Sequence, residues 1–183
     1  MSVLFINACV RENSRTLVLA KKILSDISGE ITEVNLNREN LAPLKRELLE
    51  KREDLIKSEN MNDPIFDHAR QFANADEIVI AAPFWDLSFP AILKAYMERI
   101  TVSGITFEYI NGRPHGLCKA KKLTYVTTSG GRIVMDFGYA YIKAMANNFY
   151  GIDETKAYMA MNLDVNMITA EDVLTKAEIT VIE

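Results

Sequence analysis

"EIVIAAP", residues 77–83, is apolar at nearly every position after its first. A run of that kind reads as a strand buried on both faces, because a strand with one wet face would alternate apolar and polar residues. Strands buried on both faces belong to parallel sheets, whose neighbours are joined by helical crossovers that cover the sheet. Outward from this run the pattern repeats. The pairs are 2–7 with 15–27, 30–36 with 62–75, 76–82 with 89–101, 122–128 with 136–150, and 155–161 with 169–178, an apolar β-branched run and then a segment of helical period each time.

Five strands, each followed by a helix, predict an α/β fold with right-handed crossovers. The economical arrangement is a doubly wound, flavodoxin-like five-stranded parallel sheet in order 2-1-3-4-5, with helices on both faces. At 183 residues one domain, 1–183, accounts for the chain. Two stretches break the rhythm. Residues 37–60 are crowded with both signs of charge and read as a surface insertion containing a solvated helix. Residues 103–116, "SGITFEYINGRPHG", alternate and contain Asn111-Gly112, which predicts a short hairpin or excursion.

Composition narrows the function classes. Hydrophobic residues at 49% and charged residues at 25% describe a soluble globular protein, and no segment approaches the roughly 18 to 20 apolar residues of a membrane span. "MSVLFINA" enters a strand directly, without the features of a signal peptide, so the cytoplasm is the expected location. A net charge of -4 and a pI near 5.3 give no electrostatic footprint for nucleic acid. Cys9 and Cys118 are expected to be reduced, partly buried thiols. With His68 and His115 they show none of the close spacings that fix zinc. Methionines 135, 145, 159, 161 and 167 read as core packing.

In an open α/β sheet, ligands sit beyond the carboxyl ends of the strands where strand order reverses. For order 2-1-3-4-5 that places "CVRENSRT" (9–16), "PFWDLSF" (83–89) and "TSGGRIV" (128–134) side by side. The first loop offers the hydroxyls of Ser14 and Thr16, the Asn13 amide, the charges of Arg11 and Arg15, and the N–H groups of a starting helix. That set suits a phosphate monoester. It equally describes plain helix caps flanked by solvated arginines. Neither a Gly-x-x-x-x-Gly-Lys nor a Gly-x-Gly-x-x-Gly motif is present, which argues against a nucleoside triphosphate and against a dinucleotide held in the Rossmann manner. Phe84, Trp85 and Leu87 follow Pro83 and can wall a flat aromatic ligand, or can form a small core beneath their own loop. Asp86 or Ser88 can cap the next helix, with Pro90 in its first turn. Thr128, Ser129, Gly130 and Gly131 permit close backbone approach. A phosphate seat, an aromatic wall and a backbone rim together have the shape of an FMN site.

These residues resemble the FMN-dependent NADH-azoreductase and NAD(P)H:quinone oxidoreductase group of flavodoxin-like proteins. The resemblance runs from Val3 to about residue 165 and is most specific at 82–117 and 121–131. It implies that Ser14, Arg15, Thr16 and Arg11 bind the flavin phosphate. It further implies that the 83–87 loop, Pro83 through Leu87, holds the ring, with residues 128–131 as its rim. Members of the group are homodimers with flavin near the interface. By that analogy Tyr109 lines the substrate pocket, with Phe107 and His115 nearby. The chain departs from its relatives where an early serine is replaced by Ala8 and Cys9, so one phosphate hydrogen bond is lost or passed to Arg11. The usual asparagine of the ring loop is Asp86, whose backbone would meet the ring while its side chain caps the following helix.

The implied activity is two-electron transfer from NAD(P)H through bound FMN to a quinone, azo or related planar acceptor in ping-pong fashion, with the cofactor supplying the chemistry and no catalytic side chain. A one-electron carrier and a flavin-less binding module of the same fold are the rival expectations.

Overall fold

The centre of the molecule follows from alternation along one strand. In the computed structural model, which describes residues 1–183, β3 (Glu77–Ala81) sends Ile78 and Ile80 into one core and Val79 and Ala81 into the other. All four are fully buried. Sinking side chains of the valine and isoleucine class contributes about 1.5–3 kcal/mol each, which is why this strand holds the middle of the sheet.

Along the chain, β1 (Ser2–Asn7), α1 (Arg15–Ser25), β2 (Glu30–Asn35), α2 (Arg46–Lys57) and α3 (Asp67–Asn74) precede β3. After it come α4 (Ala91–Ile100), a hairpin of β4 (Phe107–Ile110) and β5 (Arg113–Gly116), β6 (Lys122–Thr128), α5 (Tyr139–Met145), β7 (Glu154–Ala160), α6 (Val173–Lys176) and β8 (Ile179–Ile182). The strand order is β2-β1-β3-β6-β7-β8. The first five strands pair in parallel, and β8 runs antiparallel to β7, with Ala157 opposite Ile182. The larger core lies under α3, α4 and α5 and includes Phe72, Leu93, Tyr96 and Ile142. The smaller lies under α1 and α6 and includes Leu19, Leu24 and Val173.

The sheet therefore has six strands and is mixed, which corrects the expected five-stranded all-parallel sheet. The expected helix over 169–178 shortens to the four residues of α6, and the β-branched run Ile179-Thr180-Val181-Ile182 adds an edge strand instead. Pairing the open backbone of β7 explains the change, since an unpaired strand edge leaves donors and acceptors unmet.

Helix α2, inside the charged stretch 37–60, has no buried residue and is moored by Arg52, whose Nη1 donates to the Glu98 carbonyl at 2.9 Å. The hairpin turns at Asn111 and Gly112, with φ of 52° and 77°, as a two-residue turn between right-twisted strands requires. Cys9 and Cys118 are free and buried. Met159 lies in the core, but Met135 and Met167 are exposed, because both stand in loops beyond the carboxyl ends of the strands. No helix is long and apolar enough to cross a membrane.

Candidate functional site

Beyond the carboxyl ends of β1, β3 and β6 the chain forms a cleft of about 220 Å³. The first loop contributes Val10, Arg11 and Asn13 through Thr16, the second Pro83, Phe84 and Trp85, and the third Thr128 and Gly130. One further residue, Asp164 from the loop after β7, completes the wall. The exit from β1 is fixed by Asn7, whose Oδ1 accepts from the Cys9 N–H at 2.9 Å while its Nδ2 donates to Glu33 at 2.8 Å.

Ser14 is the N-cap of α1, its Oγ accepting from the Leu17 N–H at 3.3 Å. The N–H groups of Arg15 and Thr16, at the first two helical positions, have no acceptor within the helix. Thr16 is buried, and its Oγ1 shares a 2.7 Å hydrogen bond with the Thr128 Oγ1. This bond ties the start of α1 to the end of β6, so Thr16 braces the floor of the cleft. The Arg15 guanidinium is held by the loop after β7: Nη2 meets Asp164 Oδ1 at 2.7 Å, and Nη1 donates to the Ile168 carbonyl at 3.1 Å. The Cys9 thiol lies beneath this loop, and burial, chiefly, pushes it up to about 11. It is a packing group and no thiolate.

The second loop ends in a tight turn. Trp85 and Ser88 exchange backbone hydrogen bonds of 3.0 and 2.8 Å, and Asp86 and Leu87 between them have φ of 49° and 66°. Helix α4 begins with Pro90 as its N-cap and no side-chain cap, which corrects the expectation that Asp86 or Ser88 would serve. Asp86 is committed to the tip of the turn, and the Ser88 Oγ donates to the Phe137 carbonyl at 3.5 Å. Trp85 remains 37% exposed at the cleft wall, available to a ligand. In the third loop Ser129 is buried, its Oγ donating to the Gly131 carbonyl at 2.6 Å. That bond fixes the rim without opening the hydroxyl to the cleft.

Asp86, Leu87, Ser129 and Gly131 thus border the cleft without lining it. Phe107, Tyr109 and His115 do not reach it within one chain. Phe107 is buried against Phe149 at 5.2 Å between ring centroids, and Tyr109 and His115 are exposed on the hairpin. Asp164 was not expected from the sequence; the available signal was an acid just past the carboxyl end of the fifth strand, on the ligand edge of the sheet. No group of three or more His, Cys, Asp or Glu residues is placed to hold a metal ion.

Two helix-start N–H groups, a hydroxyl, an amide and guanidinium charge beside an exposed indole fit a phosphate joined to a planar ring. The chain is 35% identical to an FMN-dependent NADH:quinone oxidoreductase of Clostridium perfringens, over 93% of this chain and 90% of that protein. It is 35% identical to one from Coprothermobacter proteolyticus, over 89% and 87%. Among solved structures, an azoreductase from Bacillus anthracis str. Sterne superposes with a TM-score of 0.78 at 22% identity, covering 96% of this chain and 93% of that one. An FMN-dependent NADH-azoreductase from Bacillus anthracis str. Ames Ancestor in complex with FMN gives 0.75 at 24%, covering 90% and 88%. At such identities the two structures speak to the fold. A protein family described by its flavodoxin-like fold matches residues 1–182, and the chain belongs to it.

Proposed function

We propose that the chain is an FMN-dependent oxidoreductase that takes two electrons from NAD(P)H and passes them to a quinone, azo or related aromatic acceptor in a ping-pong sequence. The observation that carries this reading is the meeting of Ser14, Trp85 and Gly130 on one cleft in a chain whose curated relatives are named FMN-dependent NADH:quinone oxidoreductases. The residues of this cleft would hold FMN, which would supply two-electron redox chemistry between NAD(P)H and the acceptor.

The residues have distinct tasks. Ser14, Asn13, Arg11 and the N–H groups of Arg15 and Thr16 hold the phosphate. Phe84 and Trp85 exclude water from one side of the ring and orient it. The turn at Asp86-Leu87 presents backbone amides to the ring edge, and residues 128–131 form the opposite rim. No side chain acts as nucleophile or general acid.

The same reading makes the protein a cytoplasmic homodimer. Its support is the exposed apolar set beside the ring loop, Val134, Met135 and Phe137, and the two free thiols expected of a reducing compartment. Tyr109 and His115, with Phe107 behind them, would then wall the acceptor pocket of the second subunit.

The test is the purified protein mixed rapidly with NADH. The expected result is a flavin spectrum that bleaches on mixing and recovers when a quinone is added. Flavin that NADH does not bleach would instead identify an electron carrier, and a colourless protein that takes up no FMN would end the reading.

A further inference from the structure

Asp164 is the sole acid on the wall of a cleft otherwise furnished for an anion. Its placement is built in. The Asp164 N–H donates to the Gly130 carbonyl at 3.0 Å, and the carboxylate lies so close over Gly130 that an added Cβ would come within 1.9 Å of Oδ2. Its other oxygen holds the Arg15 Nη2 at 2.7 Å, while Ile168 takes Nη1. Arg15 is consequently gripped along one edge by the loop after β7. Of the two guanidinium groups on the wall, only that of Arg11 lacks a carboxylate partner.

We propose that Asp164 sets how strongly the cleft prefers a phosphorylated flavin over riboflavin, by withholding the charge of Arg15 from the phosphate. The proposal rests on the FMN reading and concerns the phosphate end alone. With Arg11, Arg15 and Asp164 all present, the wall carries one net positive charge. Neutralising Asp164 raises that by one and frees the Arg15 fork, which suits a phosphate bidentately. Neutralising Arg15 alone leaves the carboxylate uncompensated against a dianion. Neutralising both restores the original net charge.

The experiment titrates flavin-stripped protein with FMN and, separately, with riboflavin, following flavin fluorescence, for the parent, Asp164→Asn, Arg15→Gln and the double variant. Asp164→Asn is expected to bind FMN about three- to tenfold more tightly, with the gain shrinking in high salt. Arg15→Gln is expected to bind FMN more weakly by a similar factor, and the double variant to return to within about twofold of the parent. Riboflavin affinity should stay the same in all four proteins, which also reports that each is folded. Weaker FMN binding by Asp164→Asn, or a double variant as weak as Arg15→Gln, would show that Asp164 merely positions Arg15 on the phosphate and would overturn the proposal. A parent that binds the two flavins equally overturns it too, while the flavin reading stands. A parent that binds neither removes both.

Discussion

Leu87 adopts φ of 66° and its neighbour Asp86 49°, although a left-handed backbone costs an L-residue with a Cβ about 1–2 kcal/mol. Asp tolerates this region better than most residues; leucine has no such excuse. The pair is held by the Trp85–Ser88 hydrogen bonds on one side and by the Phe137 N–H, which donates to the Leu87 carbonyl at 2.9 Å, on the other. Strain retained in this way fixes where the turn's amides point. Replacing Leu87 by Gly should relieve it. After the larger entropy of glycine in the unfolded chain is deducted, the gain is about 0.5–1 kcal/mol, visible as a higher urea midpoint at unchanged slope. A second residue-scale effect concerns acid. Asp76 accepts from Lys119 at 2.6 Å and from the Ser2 N–H at 2.7 Å. These contacts, Lys119 foremost, hold its carboxyl at about 2 against an ordinary 3.8. A depressed folded value means that the stabilisation is present above the ordinary value and disappears as pH falls toward the folded one. Asp76→Asn should therefore melt below the parent near about pH 6, with the gap narrowing below about pH 4 and closing only as pH falls through about 2, as thermal unfolding across that range would show.

At the scale of elements, the β4–β5 hairpin is seated on the π-helical turn 146–150 through two glycines. A Cβ on Gly116 would fall 2.0 Å from the Gly151 nitrogen and 2.1 Å from the Tyr150 carbonyl carbon, and backbone atoms cannot step aside as a side chain can. Gly116→Ala should cost about 2–3 kcal/mol by overpacking, read from thermal melts. If the hairpin walls the acceptor pocket, the same variant should raise the KM for quinone while FMN content is kept. What the sequence showed of these elements depended on how local their causes are. β3 was legible because "EIVIAAP" needs no partner to look buried, and the turn at Asn111-Gly112 because its chemistry lies within two residues. β8 was not legible. Its reason for existing is the open edge of β7, and "TAEDVLTKAE" before it carries a fair helical period of its own. The cap of α4 departs from the sequence pattern for a related reason: Asp86 and Ser88 are good capping residues in isolation, but the turn at 85–88 and the Phe137 carbonyl engage them first.

Across the whole molecule, the cleft was legible in outline because strand order alone brings the ends of β1, β3 and β6 together. Asp164 escaped because a lone acid has no period, and its contact with Arg15 exists only once β7 is in place. The same view accounts for the exposed apolar groups. Val134 is 81% exposed, Met135 54% and Phe137 53%, and all three lie in the loop that leans on the ring turn through the Phe137–Leu87 hydrogen bond. A patch of this kind beside a ligand cleft is covered in solution more often than it is left wet, and in the proposed homodimer a second copy of the chain would cover it symmetrically. Light scattering after gel filtration should accordingly give twice the chain mass of 20.7 kDa. Changing Val134 and Phe137 together to Asp should yield a monomer, because a charge buried at such an interface has no partner there. Ser14, Trp85 and Gly130 line one cleft within a single chain, so that monomer should still take up FMN. On the proposed function it should lose affinity for the acceptor, because Tyr109 and His115 would reach the pocket only from the other subunit. A parent protein that elutes at the single-chain mass, or a monomeric variant with unchanged quinone kinetics, would take the hairpin out of the pocket.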